Sequence, residues 1–171
     1  FYDKAKLPQF KDFDIRQSFI AHMPFGKTRY QWYLPWMPLA TERHDLNEFD
    51  VVLSSTSAFA KGVITRPETL HISYCHTPTR YLWTDAHSYI ANRRFPLFVR
   101  AFVQPHLTKL RIWDRLAAER PHIMLANSKA VAARIERYYQ RGAQVIYPPV
   151  DVEAFSVGKG DGGYFLTGGR L

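Results

Sequence analysis

TLHISYCHTPTRYLW, residues 69–83, is the stretch whose reading decides the fold. Its first half, LHISYC at positions 70–75, alternates apolar with small or polar residues and is rich in β-formers, the pattern of a strand. His76-Thr77-Pro78 then stops the ladder, because proline cannot donate and holds the preceding residue out of helical space. Arg80-Tyr81-Leu82-Trp83 follows, a cation and three large apolar or aromatic side chains in four positions. A buried strand that ends in imidazole, hydroxyl and guanidinium has the composition of a ligand crevice at the carboxyl edge of a parallel sheet. A core strand closed by an ordinary turn is the competing reading.

Working outward, DVVLSS at positions 50–55 is a short continuous apolar run, the form of a buried parallel strand. Thr56 or Ser57 can cap a short helix that ends at Gly62, which completes a strand-helix-strand unit with residues 70–75. On the other side, residues 96–120 have helical spacing, with Phe98, Ala101, Phe102, Leu110, Trp113, Leu116 and Ala117 on one stripe. Pro96 suits the first turn, Pro105 is expected to kink or split the helix, and Pro121 ends it. Arg100, Lys109, Arg111, Arg115 and Arg120 fall outside the stripe and make a basic outer face. Residues 122–126, HIMLA, form a third buried strand that runs into Asn127-Ser128, good N-cap residues. A helix follows with Val131, Ala132, Ile135 and Tyr138 on one face and Gly142 as its stop. Residues 144–147 make a fourth short strand, broken by Pro148-Pro149. Strands alternating with helices indicate an α/β fold, a doubly wound parallel sheet.

The flanks are less regular. Residues 1–39 are rich in aromatics and interrupted by Pro8, Pro24, Pro35 and Pro38; residues 15–22 are expected to form a short helix. YQWYLPWMP, residues 30–38, reads as an aromatic loop or broken helix and is expected to be packed into the core, since large aromatic clusters are usually buried. Residues 148–163 read as a linker. Gly158 to Gly163 spells G-x-G-x-x-G, but this copy follows a linker and precedes the apolar Tyr164-Phe165-Leu166. A dinucleotide fingerprint must follow a strand and open a helix, so the match is rejected. Residues 164–171 read as the first strand of a second domain.

The chain has 171 residues, enough for one good domain. One cysteine excludes an internal disulfide and suits a reducing compartment. The first ten residues lack the apolar core of a secretory signal, no initiator Met is present, and no uncharged apolar run reaches spanning length. A fragment or processed product is therefore expected. The net charge of +8 is concentrated between Arg80 and Arg141, where 12 Lys/Arg face 4 Asp/Glu. Such a segment fits an acidic partner such as a membrane surface, nucleic acid or phosphorylated substrate; solvated helix faces are the alternative.

Individual residues narrow the chemistry. Cys75 and His76 are neighbours on a strand and point to opposite faces, so a Cys-His nucleophile is rejected in favour of a buried inert thiol. His71 and His76 also face opposite ways. No metal-binding spacing of His and Cys occurs, and His22, His44, His87, His106 and His122 have no partner that spacing reveals. His76 and Asn127-Ser128 both fall at strand ends that share one edge of a parallel sheet. The N-terminus of the helix after Ser128 suits a phosphate or sugar hydroxyl; capping explains Ser128 equally well.

YCHTPTRYLW, LANSKAVAARIERYY, VIYPPVDVEAF and YFLTGGRL, in that order, resemble the GT-B glycosyltransferases of family 4, particularly the mannosyltransferase-like branch. LPWMPLATERHDLNEFDVVLSSTSAFAKGV resembles the same branch, so the likeness covers nearly the whole chain. The resemblance implies two Rossmann-like domains with the active site between them, and retaining transfer of a hexose from a nucleotide-sugar, GDP-mannose or similar, in polysaccharide biosynthesis. It implies no cofactor and no essential metal. It assigns residues 1–147 to the acceptor-side domain, 148–163 to the interdomain linker and 164–171 to the opening of the donor-binding domain. His76 matches the histidine that approaches the transferred sugar, with Thr77, Arg80 and Ser128 in the substrate and acceptor cleft. Gly169 and Arg170 match the pair whose arginine contacts the donor diphosphate. Two departures stand out: the Gly-rich first strand-loop is not present, and the lysine and glutamates of the donor site fall beyond Leu171. The chain is thus expected to be truncated at both ends and inactive by itself.

Two readings from other classes stay open: a non-catalytic sugar- or lipid-binding domain of the same fold, and a basic nucleic-acid-binding module, against which no RNP, KH or zinc pattern appears. The preferred partners are a nucleotide-sugar donor, a lipid-linked or glycan acceptor and an anionic membrane surface, with no nucleic acid. The preferred location is cytoplasmic, peripheral on the inner face of the membrane. Arg93, Arg94, Arg100, Lys109, Arg111 and Arg115, beside Phe98, Phe102 and Trp113, are the expected membrane-facing group.

Overall fold

The computed structural model describes residues 7–86 and 97–154 and the isolated positions 160, 163 and 165. Four strands, β1 (Val51–Thr56), β2 (Leu70–Cys75), β3 (Ile123–Ala126) and β4 (Gln144–Val145), form one parallel sheet in the order β1-β2-β3-β4. The helices are α1 (Met37–Glu42), α2 (Leu97–Ala117) and α3 (Lys129–Tyr139). This is an α/β Rossmann-like fold. Its described strands run in sequence across the sheet, the winding of one half of a doubly wound arrangement.

Strand β2 occupies the six residues the alternation predicts, and it is central because both neighbours pair with it. His71, Ser73 and Cys75 point to one face, where they meet Ser54 and Thr56 of β1 and Met124 and Ala126 of β3. That face is covered: Cys75, Met124 and Ala126 pack with Ala118, Val131, Ile135 and Tyr139 in a single apolar cluster. The opposite face is open among the described residues. Val51 (58%) and Leu53 (70%) stand exposed on it, so β1 is buried on one side only and the expected fully buried strand is corrected.

Other boundaries shift for local reasons. The connection after β1 is a single 3-10 turn, Ala60–Gly62, where a longer helix is expected. The Thr56 hydroxyl accepts from the Ala58 N–H at 3.2 Å ahead of the turn, whose N-cap is Phe59 without a side-chain bond, so the expected Thr56 or Ser57 cap is corrected. Gly62 is required there by space, because a Cβ would lie 2.5 Å from the Trp113 ring. Helix α2 runs through Pro105 as one element, so the proline does not split it. Helix α3 ends at Gln140, which takes the left-handed conformation (φ 51°), and Gly142 is not the stop. Val131, Ile135 and Tyr139 form its buried face, with Ala132 and Tyr138 at the margin. Residues 15–22 yield only the 3-10 helix Phe19–His22.

One carboxylate ties the layers together. Asp114 of α2 is fully buried, and Lys61 (2.6 Å), Thr79 (2.7 Å), Trp83 (2.7 Å) and Tyr139 (2.8 Å) all donate to it. Those donors come from the β1–β2 connection, the turn after β2 and the end of α3. The Lys61 ammonium also donates to the Ala58 carbonyl and faces the Tyr139 ring at 5.2 Å. Burial, reinforced by the Asp114 charge, pushes the Tyr139 hydroxyl well above its ordinary range, so it is a fixed donor.

Candidate functional site

Strand β2 ends at Cys75, and the next residue begins the turn that carries the site. The His76 N–H donates to the Thr56 carbonyl at 2.8 Å, one last ladder bond that continues the β1–β2 register past Cys75. Alternation then puts the imidazole on the open face, with Ser55 and Tyr74. Its Nε2 lies 2.8 Å from the Ser55 hydroxyl. The Tyr74 ring stands edge-on to it, with centroids 5.2 Å apart, and is itself held by donating to the Ile146 carbonyl at 2.9 Å. His76 is exposed to solvent and oriented from two sides.

The turn itself is held from beneath. Thr77 is half-buried and donates to the Pro78 carbonyl at 3.2 Å. Pro78 and Thr79 are buried, and Thr79 donates its hydroxyl to Asp114 and its N–H to the Tyr139 oxygen (3.3 Å). Three residues after the imidazole, the chain is therefore anchored in the most densely bonded part of the core. Arg80 points outward and is engaged by Asp85, at 2.9 Å through Nε and 2.7 Å through Nη2.

The β2–β3 register sets Ala126 opposite Cys75, so His76 and Asn127-Ser128 leave the sheet at one edge, as the spacing predicts. Ser128 caps α3: its hydroxyl accepts from the Val131 N–H at 3.3 Å and donates to the Asn127 side chain at 3.1 Å. Capping accounts for both polar functions of that side chain. What remains available to a ligand is the first turn of α3, with its N–H groups and partial positive charge. A depression of about 400 Å³ runs along β1, lined in part by Thr41, His44 and Ser55, and reaches the serine that holds His76.

Cys75 and His71, the other reactive side chains of β2, are withdrawn from solvent. Cys75 is buried, and burial above all pushes its thiol up to about 11, which fits an inert thiol. His71 is fully buried on the covered face, 2.9 Å from the Ser54 hydroxyl. Burial, then the neighbouring His122 and Arg141, holds it down to about 4. His122, without a visible partner in the sequence, accepts from the His71 N–H at 3.1 Å. Among the described residues no group of three or more His, Cys, Asp and Glu could hold a metal ion. Gly169 and Arg170 lie outside the described residues, as do the expected strand over 164–171 apart from position 165 and most of the second half of the linker.

Sequence reading missed Ser55, Tyr74 and Asp114. Ser55 and Tyr74 follow from register alone, since they pair across β1 and β2 and share the face of His76. Asp114 carried a local signal: an acid between Leu110 and Ala117 falls inside the apolar stripe of its helix, where an unpaired charge is costly.

The basic segment is also rearranged. Arg111 donates to the Leu82 carbonyl (2.8 Å), Arg115 to the Tyr139 carbonyl (2.5 Å), and Arg141 to the carbonyls of Ala118 (2.6 Å) and Pro121 (2.9 Å). Arg120 bonds the Gly62 carbonyl and pairs with Glu42 at 2.6 Å, where Trp113 also donates. These guanidinium groups close helix ends and loops, so the expected freely exposed basic face is corrected at Arg111, Arg115 and Arg120. Arg93 and Arg94 lie outside the described residues.

Compared with known proteins, residues 4–154 match the family model described as Glycosyltransferase Family 4. No curated protein and no solved structure matches the chain.

Proposed function

This chain belongs to glycosyltransferase family 4, and from that premise we propose that it is the acceptor-side part of a retaining hexosyltransferase whose edge histidine acts on the transferred sugar. Sugar transfer between a donor and an acceptor is what the family does. The finer reading takes the donor as a nucleotide-sugar, GDP-mannose or similar, and the acceptor as a lipid-linked glycan at the inner face of a membrane. It includes no cofactor and no metal. Residues 1–147 would form the acceptor-side domain, 148–163 the linker and 164–171 the opening of the donor side. Arg170, with Gly169, would stabilise the departing diphosphate.

One observation carries this reading: His76 is exposed at the carboxyl edge of a parallel sheet, yet held by Ser55 and braced by Tyr74. The two contacts fix the orientation of an imidazole that is open to solvent. Held in this way it can hydrogen-bond a sugar hydroxyl, or take and return a proton, without first losing rotamer freedom. Thr77, Arg80 and Ser128, with the first turn of α3 that follows it, are the proposed acceptor contacts.

The test is transfer of radiolabel from a panel of nucleotide-sugars to extracted lipid acceptors by the complete gene product. His76→Ala is expected to lower kcat on the order of 100-fold with little change in Tm. A variant that keeps kcat, or absence of transfer from every donor, overturns the reading.

A further inference from the structure

FIAHMPFGKTRYQWYLPW, residues 19–36, holds six aromatic residues and two strong cations, Lys27 and Arg29, and no carboxylate. The rings over residues 30–38 are expected in the core, but the structure turns Tyr30, Trp32 and Trp36 outward, and Phe25 before them. Phe25 is 65% exposed, Trp32 61% and Trp36 56%. Leu34, from the same 3-10 helix Tyr30–Trp36, points the other way and packs against Leu82, Leu107 and Leu110. The segment is thus fastened to α2 by its apolar underside, and its aromatics form an outer ledge.

The ledge is built to stay in that shape. Phe25 adopts φ 56°, a left-handed conformation that bulky residues avoid. Several bonds hold it there: the Arg29 N–H donates to the Phe25 carbonyl (2.7 Å), the Gly26 N–H to Met23 (2.9 Å), and the Tyr33 hydroxyl to the Pro24 carbonyl (2.7 Å). Gly26 is pressed so close that a Cβ would lie 1.8 Å from the Ile20 oxygen. The strained turn projects Phe25 edge-on toward Trp32 (6.0 Å), and the Arg29 guanidinium covers Trp32 at 4.8 Å. Unfavourable backbone geometry that exposes an apolar ring indicates a use for the exposed ring.

We propose that this ledge, and not the basic helix, seats the protein on an anionic lipid bilayer, with Phe25, Trp32 and Trp36 at the headgroup level and Lys27 and Arg29 against lipid phosphates. Aromatic residues beside cations are the composition of a membrane-water interface, and the missing carboxylates remove the repulsion an anionic surface would exert. A glycan platform is the competing occupant. It would use carboxylates or amides to hydrogen-bond sugar hydroxyls between the stacking rings, and the ledge has no carboxylate and the single amide Gln31. No described helix is long and apolar enough to cross a membrane, so any attachment through the described residues is interfacial. The inference rests on the membrane-borne acceptor of the proposed function, and its test uses neither donor nor acceptor, so its failure leaves the transferase reading untouched.

The experiment is co-sedimentation of the complete gene product with vesicles of phosphatidylcholine, alone or mixed with phosphatidylglycerol, alongside the emission wavelength of its tryptophans. Expected are a blue shift and pelleting on the anionic vesicles only. Phe25→Ser with Trp32→Ser should weaken partitioning by roughly tenfold or more, since each ring removes buried apolar area. Lys109→Gln, on the exposed side of α2, should leave it unchanged. Three results each overturn the proposal: no pelleting on anionic vesicles, loss through Lys109→Gln while the ledge variant still binds, or a ledge variant that binds vesicles normally but loses binding to a soluble oligosaccharide.

Discussion

Lys61 and Asp114 form a fully buried ion pair whose two members are unequally supported, so removing one should cost more than removing the other. In Lys61→Met, Asp114 keeps three donors, from Thr79, Trp83 and Tyr139. The carboxylate remains solvated by protein, and the loss is that of one charge-assisted bond, about 1–3 kcal/mol. In Asp114→Asn, the amide oxygen can still accept from the ammonium, but the counter-charge is gone and the amide NH2 faces the Trp83 and Tyr139 donors. Beyond that oxygen the ammonium has the Ala58 carbonyl and the Tyr139 ring. A buried cation without its counter-charge costs about 3–5 kcal/mol, a large share of the roughly 5–15 kcal/mol that holds a domain folded. The double variant removes both charges and should be less damaging than Asp114→Asn alone. Urea unfolding followed by far-UV circular dichroism measures all three, with midpoints compared at a common slope. Equal losses for the two single variants, or a double variant whose loss is their sum, would refute the reasoning. Because Thr79 connects this carboxylate to the turn of His76, Asp114→Asn should also speed hydrogen exchange at the Thr79 amide.

Acid should weaken the fold through His71. Its folded value of about 4 lies below the ordinary 6.5, so the unfolded chain takes the proton first, and stability falls as pH drops from about 6.5 to about 4. The difference in urea midpoint between the protein and His71→Gln should shrink across that window; a pH-independent difference speaks against a neutral buried imidazole. Cys75 should resist a thiol reagent at neutral pH until urea unfolds the chain, and rapid labelling of the native protein would contradict its burial. Phe25→Gly should raise stability by about 1 kcal/mol by relieving the left-handed backbone, read as a higher Tm, while weakening vesicle binding. A lower Tm would show that the Phe25 ring stabilises the fold where it stands.

Local patterns were legible wherever a residue's role depends on its neighbours in the chain. The alternation and proline stop over residues 69–83 placed β2 to the residue, and Asn127-Ser128 placed the start of α3. The same reasoning put His71 and Cys75 on one face and His76 on the other, as the sheet shows. It also placed the ends of β2 and β3 at one edge, because parallel strands in a Rossmann-like sheet share their direction.

What the sequence alone determined, then, was the parallel α/β fold, the family and the edge at which His76 stands. Only the tertiary structure decided which charges are free and which rings are wet. Arg111, Arg115 and Arg120 read as a basic surface because charge is countable in one dimension, whereas the Leu82, Tyr139 and Gly62 carbonyls and the Glu42 carboxylate that engage them stand more than 20 positions away. The rings of residues 30–38 read as core because large aromatics usually bury. Their exposure follows from Leu34 taking the inward position and from the strained turn at Phe25, neither of which leaves a periodic trace. Periodicity reports the face a residue takes on its own element; whether anything covers that face depends on contacts between distant segments.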